Sequence, residues 1–130
     1  MAQVSGACHH PDMTTVLIVD DHGSFRATAR RLLELEGFDV VGEAENGESA
    51  IEAVKRLRPD VVLLDVQLPD MDGFEVAGRL GANGDRPAIV LTSSRDLSEF
   101  GCLVERCGAR GFVPKDELSG VRLSALLSSG

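Results

Sequence analysis

The sequence predicts an α/β fold: a (βα)5 doubly wound sandwich, with one five-stranded parallel sheet covered by helices on both faces. Three observations predict it. Short apolar runs recur without polar alternation, as in strands buried on both sides. Stretches with apolar residues at helical spacing lie between those runs. The strict order of strand then helix, repeated five times, implies right-handed crossovers into a single parallel sheet.

Each element has its own warrant. Val16-Leu17-Ile18-Val19 is the first strand, β-branched at three of four positions. Phe25, Ala29, Leu32 and Leu33 make the first helical stripe, with Arg26, Arg30, Arg31 and Glu34 largely on the other side and Gly37 as its stop. Phe38 to Val41 is a weaker second strand. Ala50, Ile51, Val54 and Leu57 form the second stripe, closed by Pro59. Val61-Val62-Leu63-Leu64 is the third strand, followed by Phe74, Ala77 and Leu80 on a helix that Asp72 is placed to cap. Ile89-Val90-Leu91, after Pro87, is the fourth strand. Leu97, Phe100, Val104 and Cys107 form a fourth stripe, weakened by Gly101. Phe112-Val113 is the fifth strand, and Leu118, Val121, Leu123, Leu126 and Leu127 a short fifth helix.

The length of 130 residues fits one domain, which we place at 15–128, after a flexible polar leader at 1–14 that contains Pro11. Met13 is an alternative start, and Ser128-Ser129-Gly130 reads as a tail. A chain of this size hides roughly two-thirds of its unfolded surface and needs no disulfide or structural zinc. Hydrophobic residues make up 43%, which argues against general disorder. The formal charge of −8 disfavours non-specific contact with nucleic acid or anionic membrane. No apolar run approaches the roughly 20 residues of a membrane helix, and residues 1–15 carry no secretory signal. Three cysteines without a framework suit a reducing compartment, so the expected location is cytoplasmic.

In a parallel sheet, residues just past the strand ends gather along one edge, where ligands bind. Strand one ends in Asp20-Asp21, strand three in Asp65 and strand four in Thr92-Ser93-Ser94, while Lys115 follows strand five. Taken singly, each is an ordinary turn, capping or solvated residue. Together they bring three carboxylates, a hydroxyl and an ammonium to one rim. Asp65 follows four apolar residues, where a carboxylate is partly desolvated. Clustered carboxylates stay ionised only beside a cation, and hard oxygen ligands suit Mg²⁺. Zinc is disfavoured, because His22 is the one nitrogen or sulfur ligand at a strand end, and it is expected to begin the first helix.

At this point the chain resembles a response-regulator receiver domain of two-component signalling. The matching stretches are Val16 to Asp21, Pro59 to Asp65, Leu68-Pro69-Asp70-Met71-Asp72-Gly73, Leu91-Thr92 and Gly111 to Lys115, which together span Thr15 to about Leu127. The resemblance implies the flavodoxin-like strand order 2-1-3-4-5. It makes Asp65 the nucleophile and phosphoacceptor. Asp21 would bind Mg²⁺ directly and Asp20 mostly through water, with Asp65 and the backbone carbonyl of Gln67 as further ligands. Lys115 would pair with Asp65 and then with the phosphoryl oxygens, and Thr92 would donate its hydroxyl to the phosphoryl group. Such a domain is not a conventional enzyme, but it catalyses its own phosphorylation and slow dephosphorylation. The implied partners are a sensor histidine kinase and a downstream protein of unknown identity. Homodimerisation is open, and no membrane or direct nucleic-acid contact by this chain is expected.

By the same resemblance, Thr92 and Phe112 would form the switch, reported through the face made by helix four, strand five and helix five. Phe112 can equally be a core residue. Arg26, Arg30 and Arg31 lie where the family docks the kinase, and a solvated basic face is the alternative. Some features depart from the pattern. Pro114 precedes Lys115, where the family often has proline after it, as in the subgroup that carries a DNA-binding helix-turn-helix domain. The stretch from Thr92 to Lys115 is one residue long for the family, so Ser93 is a rival to Thr92, which is preferred because Pro87 sets the strand register. Gln67 and Ser94 flank the site and would tune the lifetime of the acyl phosphate. Cys8-His9-His10 lacks further ligands and is not read as a metal site, and Cys102 and Cys107 do not share a helix face well.

The leading expectation is a stand-alone receiver phosphorylated by a sensor histidine kinase, and three competing functions remain: a receiver fragment of a DNA-binding transcription regulator, an inactive receiver-like interaction module, and a haloacid-dehalogenase-type phosphatase. The last wants a second Asp two residues after the nucleophile. Gln67 follows Asp65 at that spacing and His22 follows Asp20.

Overall fold

The computed structural model describes residues 14–82, 87–93 and 109–128. Five strands, β1 (Thr15–Val19), β2 (Asp39–Ala44), β3 (Val61–Asp65), β4 (Ala88–Ser93) and β5 (Gly111–Pro114), form one parallel sheet in the order β2-β1-β3-β4-β5. The helices among the described residues are α1 (Gly23–Leu35), α2 (Gly47–Leu57), α3 (Gly73–Ala82) and α4 (Gly120–Ser128), with a 3₁₀ turn at Lys115–Glu117. The predicted doubly wound fold and strand order are therefore present. Most of the leader, the stripe Leu97 to Cys107, Ser94 and Cys8-His9-His10 lie outside the described residues.

Strand alternation divides the core in two. Leu17 and Val19 of β1, Val62 and Leu64 of β3, and Ile89 and Leu91 of β4 pack with Ala50, Val54, Val76 and Leu80 of α2 and α3. Val16, Ile18, Val61, Leu63, Val90 and Val113 face the other way, onto Ala29 and Leu33 of α1 and Leu123 of α4. Successive residues of a strand point to opposite faces, so a strand apolar throughout serves both layers. Every residue of β1 and β3 is buried.

Helix ends follow local chemistry. The Asn46 side chain accepts from the Ser49 amide at 2.8 Å and Ser49 Oγ accepts from the Asn46 amide at 3.4 Å, a reciprocal cap at the start of α2. Asp72 Oδ1 accepts from the Glu75 amide at 2.8 Å, as expected for the cap of α3. Gly37 stops α1 with a left-handed φ of 95°.

Two elements differ from expectation. β2 extends beyond the apolar run, through Gly42 and Glu43 to Ala44. It is an edge strand with an irregularity in its pairing to β1, and a Cβ at Gly42 would meet Leu57 Cδ1 at 2.7 Å. The seat of α2 thus interrupts the hydrophobic signal without ending the strand. The expected C-terminal stripe also reads differently. Leu123 is buried, but Val121, two residues away and so near the opposite side of the helix, is 66% exposed. Leu118 is buried ahead of the helix.

Candidate functional site

The sheet register brings the strand ends level. Val19 pairs with Leu64, which places Asp20 beside Asp65, and Asp65 pairs with Thr92. Thr92 pairs with Val113 and Ser93 with Pro114, so Lys115 emerges one residue beyond. The same alternation that divides the core puts Thr92 in phase with Val90 and Asp65 in phase with Leu63. Ser93 falls in the opposite phase. Thr92 is therefore the hydroxyl on the side of the sheet where Asp20 and Asp65 lie.

Asp20, Asp65 and Thr92 are all buried. The Lys115 ammonium reaches across β4. It lies 2.6 Å from Asp20 Oδ2, off the direction of a hydrogen bond, and donates to Asp65 Oδ2 at 3.2 Å. Asp65 Oδ1 accepts from the Gln67 amide at 3.1 Å. Asp20 Oδ1 accepts from the His22 amide at 2.8 Å. His22 caps α1, as expected, and its Nδ1 also sits 3.0 Å from Asp20 Oδ1 and 3.1 Å from Asp21 Oδ1. That contact was not legible in the sequence. The spacing Asp-Asp-His is visible there, but the turn that folds the imidazole back is not.

Burial pushes the Asp65 carboxyl above its ordinary range. The Gln67 amide opposes this, the Asp20 charge adds to it, and Lys115 opposes it again. Burial alone would lower Lys115. The Asp20 contact, with the charges of Asp65 and Asp20, outweighs that and holds the ammonium above its usual value. Thr92 Oγ1 is buried without a hydrogen-bond partner among the described residues. A buried hydroxyl normally has one.

Ligand atoms of Asp20, Asp21, His22 and Asp65 all lie within 4.8 Å of one another. Three carboxylates at that spacing fit a hard divalent cation such as Mg²⁺. The Lys115 ammonium alone offsets one of their three charges.

The loop after β3 is tightly held. Val66 donates to the Thr92 carbonyl at 2.9 Å, Gly73 donates to the Val66 carbonyl at 2.7 Å, and Gln67 and Asp72 form an antiparallel bridge. Asp70 accepts from the Gly47 and Glu48 amides at 2.8 and 3.0 Å, which ties the loop to the start of α2 and holds its carboxyl below the ordinary range. Phe112 is half-buried and packs against the α2–α3 cluster. Of the three arginines on α1, Arg26 and Arg30 both bind Glu43 of β2, at 3.0 and 2.8 Å, and Arg31 is exposed. Arg26 also donates to the Asp20 carbonyl at 2.5 Å.

Comparison with known proteins decides the family. Residues 16–126 match the response regulator receiver domain. The chain belongs to that family. This receiver domain is 39% identical over 114 residues to a Pseudomonas aeruginosa protein named as a transcriptional regulator, covering 87% of this chain and 55% of the relative. It is 36% identical to the transcriptional regulatory protein YdfI of Bacillus subtilis, covering 82% of this chain and 50% of YdfI. The receiver thus spans about half the length of these curated relatives. Among solved structures, it superposes on the signal receiver domain of NarL from Mycobacterium tuberculosis with a TM-score of 0.84 at 34% identity, covering 92% of this chain and 99% of that one. It is the receiver domain of a two-component response regulator.

Proposed function

We propose that this receiver accepts a phosphoryl group from a sensor histidine kinase onto Asp65, with Mg²⁺ held by Asp20, Asp21, Asp65 and the Gln67 backbone carbonyl. The juxtaposition of Asp20, Asp65, Thr92 and Lys115 at one sheet edge carries this reading. An oxygen of the Asp65 carboxylate attacks phosphorus, the bond from phosphorus to the donor nitrogen breaks, and the product is an acyl phosphate. Bound Mg²⁺ supplies positive charge where one anion must approach another. Lys115 is already on Asp65 and follows the charge to the phosphoryl oxygens. The Gln67 amide holds Asp65 Oδ1, which orients the carboxylate. Thr92, with its hydroxyl unpartnered, donates to the new phosphoryl group, and Phe112 repacks behind it. The output face is the surface of the expected helix at Leu97 to Cys107, which lies outside the described residues, together with β5 and α4, biased between two packings.

No helix among the described residues is long and apolar enough to cross a membrane. We place the reaction in the cytoplasm, where kinase and phosphodonor meet. A second reading concerns output. The relatives named as transcription regulators favour a parent protein in which this receiver governs a DNA-binding part, with dimerisation through the output face.

The test is incubation with Mg²⁺ and acetyl phosphate, followed by intact mass. One added phosphoryl group on the wild type, absent from Asp65→Asn, is expected. An unchanged wild-type mass would instead support an inert interaction module, and turnover of varied phosphomonoesters would support a phosphatase.

A further inference from the structure

Lys115 has a long way to reach. From the end of β5 its side chain extends past the end of β4 to meet the carboxylates of Asp65, on β3, and Asp20, just beyond β1, whose strands lie two and three places away in the sheet. A four-carbon stem with free rotors does not hold that course unaided. Asp116, exposed and adjacent in sequence, offers a rival carboxylate in solvent, while Glu117 is held by Arg122. The stem therefore needs a wall on its open side.

Phe25 stands there. The Lys115 ammonium lies over its ring, 4.7 Å from the centroid. The ring is half-buried and rests on the core cluster that contains Leu63 and Val113, the latter on the strand that Lys115 follows. An aromatic face carries negative potential and attracts a cation within about 6 Å. We infer that Phe25 is a positioning residue for Lys115: its ring face and the carboxylates of Asp20 and Asp65 together confine the ammonium where a phosphoryl group on Asp65 would need it. The helical stripe alone marks Phe25 as core, and leucine would satisfy that pattern equally well. This inference rests on the phosphoacceptor reading of Asp65.

The sequence makes the test simple, because the chain has two lysines, Lys55 and Lys115. With ¹³C-lysine labelling, the Lys115 ε-protons are expected upfield of those of Lys55, shifted by the ring current, in protein free of Mg²⁺ and phosphodonor. Phe25→Leu should abolish that displacement and Phe25→Tyr should keep it. Phosphorylation by acetyl phosphate should slow about threefold to tenfold in Phe25→Leu. It should slow in graded steps as Phe25 is replaced by increasingly fluorinated phenylalanines, which keep ring size while draining the face of charge. In a Lys115→Ala background the Phe25→Leu effect should vanish. The inference is overturned if the Lys115 protons are not displaced, if they stay displaced in Phe25→Leu, if the fluorinated series is flat, or if Phe25→Leu slows the reaction equally without Lys115. Failure of the wild type to be phosphorylated would sink the phosphoacceptor reading, while the proton shifts would still decide whether ring and ammonium are in contact.

Discussion

Thr92 carries a buried hydroxyl with no partner among the described residues, which costs the resting state stability and is relieved in any state that engages the hydroxyl. Thr92→Val keeps the shape and removes the orphan. It should leave resting stability unchanged or raise it by up to about 1 kcal/mol by thermal melt, while the change in partner binding on phosphorylation is largely lost. Phosphorylated Thr92→Val that switches a partner as fully as wild type would contradict the assignment. Asp65 allows a pH test. Its carboxyl is raised by burial, so the fold binds this proton more tightly than the unfolded chain does. The resulting stability is present at low pH and is lost as pH rises through the folded-state value. At neutral pH, ionised Asp65 is therefore a cost. Without Mg²⁺, Asp65→Asn should melt higher than wild type by about 1 kcal/mol, a few degrees. That gap should close as pH falls through the carboxylate range. A gap that widens on acidification would show the sign to be wrong. The individual acidic residues, Thr92 and Lys115 were legible because each stands at the end of an apolar run. His22 and Phe25 were not, since their contacts come from how a turn and a helix sit over the sheet.

At the scale of elements, the segment from Val66 to Gly73 links β3 to α3 and, through Asp70, to α2. Gly73 is its tightest point. A Cβ there would lie 2.6 Å from the Asp65 backbone oxygen, a contact no side-chain rotation can relieve. Gly73→Ala should therefore cost roughly 1–3 kcal/mol in chemical denaturation. It should also slow phosphorylation, because the strain falls on the backbone of Asp65, the proposed phosphoacceptor. An alanine variant with wild-type stability would mean the loop yields more easily than its hydrogen bonds suggest. Element boundaries were less legible than element types. β2 ran past its apolar stretch because Gly42 answers to Leu57 of α2, and α4 turned Val121 outward because it begins only at Gly120. Both depend on partners remote in sequence.

For the molecule as a whole, three carboxylates from two strands face one ammonium from a third. A divalent cation bound there stabilises the folded state alone, since the unfolded chain does not assemble the site. At a hundredfold excess over Kd, Mg²⁺ should add about 3 kcal/mol and raise Tm on the order of ten degrees. Asp65→Asn should lose most of that increment, whereas Thr92→Val should keep it. Equal Mg²⁺ responses in wild type and Asp65→Asn would move the cation away from this edge.

By itself, the sequence determined the fold class, the order of the described elements and the residues that end the three strands β1, β3 and β4. Those follow from local hydrophobic period and from the chirality of strand–helix–strand crossovers, which are properties of short stretches. Tertiary structure alone decided that Arg26 and Arg30 pair with Glu43, that His22 folds back onto Asp20 and Asp21, and that Lys115 lies over Phe25. The first and last are meetings of residues far apart in the chain, and the second depends on how a turn sits over the sheet. A one-residue change in strand phase, or a small rotation of α1, would change the partner without altering the pattern of apolar residues.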